Sequence, residues 1–346
     1  LIILRIMSIL SYRLEDLKDV LVKEGYKPFN APQIIEWIYK KGVFSFDEMT
    51  NLSFDLRDFL KKNYSLSSLK LEKTEESKDK ETKKYLFKLE DGYFIEAVLI
   101  LSDERKTICV SSQVGCRVKC TFCASGKKGF FRNLSAFEII EQILLVSKDI
   151  NENLSHVVFM GMGEPLLNLD EVVNAIEIIS DDKYLKISQR RITVSTSGIL
   201  ENLEKLKEKN LKVNLALSLH APTDEIRKKI MPYAKKYKLK DLIASLKDYG
   251  LSTKRDISFE YILIDGINDS IECAKKLYLL LKDIQCSINL IPYNEIDHLA
   301  YKRPDNNKVF KFKSFLLSKK MIVSQRYTKG KDIAASCGQL AIKQRL

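Results

Sequence analysis

The stretch Thr107-Ile-Cys-Val-Ser-Ser-Gln-Val-Gly-Cys-Arg-Val-Lys-Cys-Thr-Phe-Cys123 decides how the rest of the chain is read. It begins as an apolar strand near Ile108–Ser112 and passes at once into C-x3-C-x2-C, made by Cys116, Cys120 and Cys123. Downstream, strand and helix patterns alternate. Strands are expected near Val157–Met160, Ile192–Ser195, Val213–Leu219, Ile257–Leu263 and Ser287–Ile291. Amphipathic segments at Ala136–Val146, Leu169–Ile179, Leu203–Lys209, Leu239–Tyr249 and Cys273–Leu281 read as helices, the first opened by the capping box Ser135/Glu138. Repeated βα units imply the α/β class and a parallel sheet, open or closed into a full or partial barrel. The segments that leave the strands are distinctive: the cysteines after the first, then Gly161-Met-Gly-Glu-Pro165, Ser195-Thr-Ser-Gly198, Ser218-Leu-His220, Asp265-Gly266 and Pro292-Tyr-Asn294. Ligands of such sheets bind at the carboxyl ends of strands, so these residues gather at one mouth.

Ahead of this region the chain is helical by period to about residue 66, through Leu14, Leu17, Val20 and Leu21, then Ile34, Ile35, Trp37 and Ile38, then Leu56, Phe59 and Leu60. Between Leu69 and Leu101 it reads as a short β hairpin, with a charged turn around Glu75 to Lys84 and a closing strand Tyr93–Leu101.

With 45% hydrophobic and 30% charged residues, the 346-residue chain has material for a core or two and is not disordered or collagen-like. The opening Leu1 to Leu10 is interrupted by Arg5 and lacks the length of a membrane span, a basic start or a cleavage site; Met7 is a second candidate start. A cytoplasmic protein without a membrane partner is expected. The net charge of +12 favours a polyanionic partner. Seven basic and no acidic residues lie from Arg227 to Lys240, and eight basic and none acidic from Lys308 to Lys331. Aromatics interleave both runs, Tyr233 and Tyr237 in one and Phe310, Phe312, Phe315 and Tyr327 in the other. Either run alone is equally a solvated helix face; the two together point to nucleic acid.

The cysteines number seven, an odd count, and four fall within fifteen residues, Cys109, Cys116, Cys120 and Cys123, which is not a disulfide framework. Cys273 and Cys286 read as buried small hydrophobes. Three closely spaced thiolates can hold three irons of a four-iron cluster and leave the fourth without a protein ligand. The alternative is structural zinc with Cys109 as fourth ligand, although zinc sites usually pair two short motifs from a distance.

The cluster motif resembles that of the radical-SAM superfamily, in which the open iron chelates S-adenosylmethionine. More closely, Cys109-Val-Ser-Ser-Gln-Val-Gly-Cys116, Met160-Gly-Met-Gly-Glu-Pro-Leu-Leu-Asn168, Ser195-Thr-Ser-Gly198, Ser218-Leu-His220 and Ala335-Ser-Cys-Gly-Gln-Leu340 resemble the RlmN family of adenine-C2 RNA methyltransferases. The likeness runs from about Leu14 to the end and includes Trp37-Ile-Tyr39 and Phe46-Asp-Glu-Met49. It implies a partial (β/α)6 TIM-like radical-SAM barrel over 102–346, a helical RNA-binding accessory domain over 1–66 and a β connector over 67–101.

The resemblance also implies a mechanism. One S-adenosylmethionine methylates Cys337; a second, cleaved by an electron from the cluster, gives a radical that takes hydrogen from that methyl group. The carbon radical adds to adenine, a base removes the ring proton, and Cys109 attacks the Cys337 sulfur to release product and leave a disulfide. Glu96 matches the proton acceptor. Gly163, Glu164, Ser195, Ser218, Leu219, His220 and Asn294 match contacts to S-adenosylmethionine, and Tyr293 stands where relatives often carry tryptophan. Read alone, Glu96 is a sheet-face carboxylate, Gly163 a turn glycine, Cys109 a buried hydrophobe, and His220 either a core histidine or a ligand contact. Cys337 falls between Ser336 and Gly338 in what reads as a flexible loop.

The implied substrate is 23S ribosomal RNA, with transfer RNA an open second; the implied electron donor is a flavodoxin-like system, and the chain is expected to be a monomer. Two other functions compete. A Cfr-type enzyme would share the cysteines and methylate carbon 8, and a non-catalytic RNA-binding protein with a structural metal would explain the basic runs but give Cys109 and Cys337 no task.

Overall fold

Three helices lead the chain, α1 (Leu14–Lys23), α2 (Asn30–Tyr39) and α3 (Phe54–Asn63). Their apolar stripe, Leu17, Leu21, Ile34, Ile38, Leu56 and Leu60, is buried in the same core as the sheet beyond it. The computed structural model describes residues 7–127, 129–296, 299–326 and 329–340; residues 1–6 of the opening apolar stretch and Tyr327 of the second basic run lie outside the described residues.

One ten-stranded sheet organises the remainder. It starts with β1 (Leu69–Glu76), β2 (Thr82–Leu89) and β3 (Phe94–Ser102), which are antiparallel. Seven more strands complete it: β4 (Arg105–Cys109), β5 (His156–Phe159), β6 (Ile192–Thr196), β7 (Asn214–Ser218), β8 (Ile257–Leu263), β9 (Cys286–Pro292) and β10 (Ile322–Gln325). β4 pairs antiparallel with β3 and parallel with β5, and from there to β10 every pairing is parallel. The spatial order matches the chain order, and among the described residues no pairing joins β10 to β1, so the barrel is partial.

Helices α4 (Ala136–Ile150), α5 (Leu169–Ser180) and α6 (Leu200–Glu208) connect successive parallel strands, and α7 (Asp224–Ile230), α8 (Leu239–Thr253), α9 (Ile271–Leu281) and α10 (Asn306–Ser318) come after them. The six expected βα units are present, and β10 adds a terminal strand. The capping box forms as read, with the Glu138 N–H donating to Ser135 Oγ at 3.4 Å and the Ser135 N–H to Glu138 Oε2 at 2.9 Å.

Two expectations need correction. The hairpin is a three-stranded meander, and it extends the barrel sheet through β3 and β4. The charged turn is shorter than Glu75 to Lys84: Glu75 lies in β1 and Lys84 in β2, because the pairs Glu75↔Lys84 and Glu76↔Lys83 set opposite charges across the ladder.

Side-chain period two explains the burial of strands that also carry charge. Along β8, Ile257, Phe259, Tyr261 and Leu263 are buried in the apolar core, whereas Ser258, Glu260 and Ile262 line the barrel interior.

Glu141 of α4 welds helix to meander. Its carboxylate accepts from the Ser68 N–H at 2.9 and 3.0 Å, the Ser68 hydroxyl at 2.7 Å, the Leu69 N–H at 2.9 Å, and the Ser67 hydroxyl. Burial raises its pKa, against which these bonds act. Glu141→Ala strands the buried Leu69 N–H and the half-buried donors of Ser67 and Ser68, and we expect a stability loss on the order of 2 kcal/mol, read as a lower denaturant midpoint at unchanged slope.

Candidate active site

The carboxyl ends of the strands enclose a cleft of about 850 Å³, part of it open to solvent. Cys116, Cys120 and Cys123 line it together with Gly163, Glu164, Ser195, Ser218 and His220. Burial pushes the Cys116 thiol up to about 12 and raises Cys120 and Cys123, with Cys123 adding to the rise at Cys116 and Cys120, and Cys337 to that at Cys123. The three thiols thus need a cation before they ionise together.

The backbone around them is close-packed. Gly163 has φ +109°, and a Cβ there would lie 2.7 Å from Gln113 Cβ and 2.8 Å from Gln113 N and Ser112 Oγ. Glu164 caps the turn Pro165–Asn168: its Oε1 accepts from the Leu166 N–H at 3.0 Å and its Oε2 from the Ser197 N–H at 2.7 Å, while its own N–H donates to Gln113 Oε1 at 2.9 Å. Its carboxylate therefore locks the loops after β5 and β6 together. The Ser195 and Ser218 hydroxyls are 3.4 Å apart. His220, at φ +59°, accepts on Nδ1 from the Ile262 N–H at 3.1 Å and sets its ring edge-on to Phe122. Burial and the nearby Arg227 lower its pKa to about 3, so the ring is neutral.

An adjoining cavity contains Cys109, Cys123, Met160, Arg326 and Cys337. The loop carrying Cys337 is strapped on both sides rather than loose. Toward the meander, Lys329 Nζ donates to Leu101 O at 3.0 Å, the Lys78 N–H to Asp332 Oδ2 at 2.9 Å and Lys84 Nζ to Ile333 O at 2.5 Å. Toward the cysteines, the Ala124 N–H donates to Gly338 O at 2.8 Å, Ser125 Oγ to Leu340 O at 2.6 Å and Asn294 Nδ2 to Cys337 O at 3.5 Å. Beneath the cleft lies a polar chamber lined by Thr193, Asn214, Ser258 and Asn289. Met160, Glu260 and Arg326 border both spaces.

Comparison with known proteins fits this arrangement. Residues 110–277 match the Radical SAM superfamily, and residues 7–66 match the ribosomal RNA large subunit methyltransferase N-terminal domain. The chain is 52% identical to the "probable dual-specificity RNA methyltransferase RlmN 2" of Protochlamydia amoebophila, over 96% of this chain and 93% of that protein. The chain belongs to the RlmN family of radical-SAM RNA methyltransferases. A Bacillus velezensis protein described as a probable dual-specificity RNA methyltransferase RlmN is 47% identical over 98% of this chain and 94% of its own length. The crystal structure of a radical SAM methyltransferase from Sphaerobacter thermophilus superposes with a TM-score of 0.94 at 37% identity, covering 96% of this chain and 99% of that one.

Membership of the RlmN family implies a four-iron cluster and S-adenosylmethionine. The residues present fit both. The donors are three thiols on one wall, while Cys109 lines the neighbouring cavity. Among the described residues, no three His, Cys, Asp or Glu side chains are gathered as for a single metal ion. The same cleft holds the Gly163 cradle and a buried carboxylate oxygen without a hydrogen-bond partner, Glu260 Oε2.

Against the RlmN expectations, Gly163, Glu164, Ser195, Ser218 and His220 line the cleft, and Asn294 meets the Cys337 loop. Leu219 is fully buried outside the cleft lining; its N–H donates to Glu260 O at 3.0 Å and its carbonyl accepts from Arg227 Nε at 3.1 Å. Glu96 is buried on β3 with its carboxylate 3.8 Å from Lys84 Nζ. Tyr293 is buried edge-on to Tyr301.

The charge runs concealed two site residues. Arg227 is 1% exposed and donates to Ser197 O at 2.6 Å and Ser218 O at 3.4 Å, tying the loops after β6 and β7. Arg326 directly follows β10 and reaches Glu260 Oε1 at 3.1 Å, Met160 Sδ at 3.6 Å and Cys337 Sγ at 3.8 Å. Recognition of the short strand before it would have placed Arg326 at the mouth. No helix among the described residues is long and apolar enough to cross a membrane.

Gly163→Ala should weaken S-adenosylmethionine binding about tenfold or more in the iron-loaded protein, measured by equilibrium dialysis, because the strained Cβ displaces the cleft wall. The lowered pKa of His220 has a sign. As pH falls below about 6.5 the unfolded chain takes up a proton that the fold refuses down to about 3, so this group's contribution is intact above 6.5 and lost below it. His220→Gln should flatten the acid limb of stability between pH 6.5 and 4 relative to the parent, followed by urea unfolding.

Proposed function

We propose that this enzyme methylates carbon 2 of an adenine in 23S ribosomal RNA, and acts on transfer RNA as a second substrate, by way of a methyl group carried on Cys337. The observation that carries the reading is the meeting of Cys109 and Cys337 in one cavity beside the cluster thiol Cys123. Two sulfurs outside the cluster are the minimum that a carrier and a resolving thiol require, and a structural-metal protein has no use for them. The names of the relatives, dual-specificity RNA methyltransferases, support two RNA substrates, and the N-terminal match to a ribosomal RNA large subunit methyltransferase domain supports ribosomal RNA as one of them.

Cys116, Cys120 and Cys123 would hold the cluster, and Gly163, Glu164, Ser195, Ser218, His220 and Asn294 would surround S-adenosylmethionine. Together these groups supply an electron, a methyl group and a hydrogen-abstracting radical, which carbon 2 needs because it is electron-poor. The chain's own residues do the rest. Cys337, on its strapped loop, presents a sulfur to the methyl donor and then holds the one-carbon unit against the base. Glu96 accepts the ring proton; it shares a sheet face with Cys109, since Val98 pairs with Cys109 and Glu96 lies two residues along. Cys109, its thiol pushed up to about 12 by burial with Cys337 adding, forms the sulfur–sulfur bond that releases the product. An external dithiol must then reduce the disulfide, and a flavodoxin-like donor must supply single electrons.

Outside the cleft, Lys229, Lys235, Lys236, Lys238 and Lys240 of one run and Lys308, Lys311, Lys319, Lys320 and Lys331 of the other are exposed and suit RNA phosphates. The target base must leave its stack to reach the mouth, which favours protein-free RNA or an assembly intermediate.

Cys337→Ala should abolish methylation, and Cys109→Ala should trap a covalent enzyme–RNA adduct visible on a denaturing gel. Mass spectrometry of the nucleosides should show 2-methyladenosine; 8-methyladenosine as the main product would transfer the assignment to the Cfr type. Electron paramagnetic resonance of the reduced, iron-loaded protein should give a four-iron signal that shifts on adding S-adenosylmethionine, and a zinc-loaded protein without it would defeat the reading.

A further inference from the structure

Lys84 reads in the sequence as the end of a charged turn, yet its side chain is 8% exposed on the inner face of β2. A buried ammonium demands acceptors, and three segments supply them. Lys84 Nζ lies 2.5 Å from the Ile333 carbonyl, 2.9 Å from Glu75 Oε2 and 3.8 Å from Glu96 Oε1. Ile333 stands four residues before Cys337. Thus one cation touches both the loop that carries the thiol and the carboxylate on the adjacent strand.

Register makes this contact more than incidental. Lys84 pairs with Val98, and Val98 with Cys109, so the side chains of all three share one face. Glu96 lies on that face two residues from Val98, and Val98 lines the cavity of Cys109 and Cys337. The contact to Glu96 is an ion pair longer than a hydrogen bond, while the contacts to Ile333 and Glu75 are short. The ammonium therefore anchors on the loop carbonyl and Glu75 and offers Glu96 a counter-charge.

We propose that Lys84 is a positioning residue for the methylation, fixing the distance between the Glu96 carboxylate and the Cys337 loop so that an adenine bonded to Cys337 meets its proton acceptor. The inference rests on the roles given above to Glu96 and Cys337. In the step concerned, the proton on carbon 2 passes to a Glu96 oxygen, the electrons of the broken C–H bond stay with the ring, and Lys84 gains and loses no atom. Methyl transfer to Cys337 precedes this step and does not require it.

The test uses the iron-loaded enzyme with S-adenosylmethionine and an RNA fragment, and reads three quantities: methyl on Cys337 by protein mass spectrometry, covalent adduct on a denaturing gel, and methyladenosine released. Lys84→Gln should keep Cys337 methylation within about twofold of the parent, lower product about tenfold or more and accumulate adduct, the pattern also expected of Glu96→Gln. Lys84→Arg should recover part of the product. The double variant should be no worse than the weaker single, because both act on one step. Lys83→Gln, on the opposite face of the same strand with its ammonium 2.6 Å from Asp149 Oδ2, should turn over near the parental rate.

Normal product release by Lys84→Gln, or loss of product together with Cys337 methylation and without adduct, would overturn the inference. If Glu96→Gln traps adduct and Lys84→Gln does not, only the role of Lys84 falls; if Glu96→Gln turns over normally, the proton-acceptor reading falls and takes this inference with it.

Discussion

β4 hydrogen-bonds to β3 in the antiparallel sense and to β5 in the parallel sense, and the period of two along each strand propagates that register across the sheet. Lys84, Val98, Cys109, Val158, Thr193 and Asn214 form one row of paired positions, from the meander into the barrel. A slip of a single residue at β4 would turn Cys109 to the opposite face and move Val98 and Glu96 out of line with it. The geometry at the mouth is thus set by main-chain pairing before any side chain is considered, and the meander forms a wall of the site.

Within that frame the mouth is held by buried charges that bond mainly to backbone. Glu164 accepts from two loop N–H groups, and Arg227 donates to the carbonyls of Ser197, Ser218 and Leu219. An anion gathers loose donors and a cation gathers loose acceptors where strands end and the ladder no longer satisfies them. Desolvation lowers the Arg227 pKa to about 10, which still leaves it charged at neutral pH. Losing either side chain would leave its backbone partners unpaired, a cost of about 1–3 kcal/mol for each buried group so exposed.

Periodicity and spacing made much of this legible in the sequence. Six parallel strands, the helices between them and the three-thiol motif emerge from apolar patterns with few alternatives, and the polar strand ends point to the mouth. The missed features share a physical cause: charge reads as surface. Arg227 and Arg326 sit in basic runs, Lys84 sits among acidic and basic neighbours, and α7 and α10 hide in the same runs. β10, only four residues long with Ile322 66% exposed, lacks the apolar content that marks a buried strand. Glu260 carries no local signal, since its burial depends on β8 facing the barrel interior. Leu219 shows the converse case, where a motif position holds the fold through its backbone while its side chain stays out of the cleft.

The polar chamber under the cleft has a consequence for solvent. A macromolecule laid over the mouth closes the route by which water would leave as a base enters, and liquid water is nearly incompressible. Behind the layer formed by Met160, Glu260 and Arg326 lies a column lined by Thr193, Asn214, Ser258 and Asn289, which hydrates readily where an apolar barrel centre would not. The three side chains that line both spaces, Met160, Glu260 and Arg326, are therefore all that divides the mouth from a polar barrel foot.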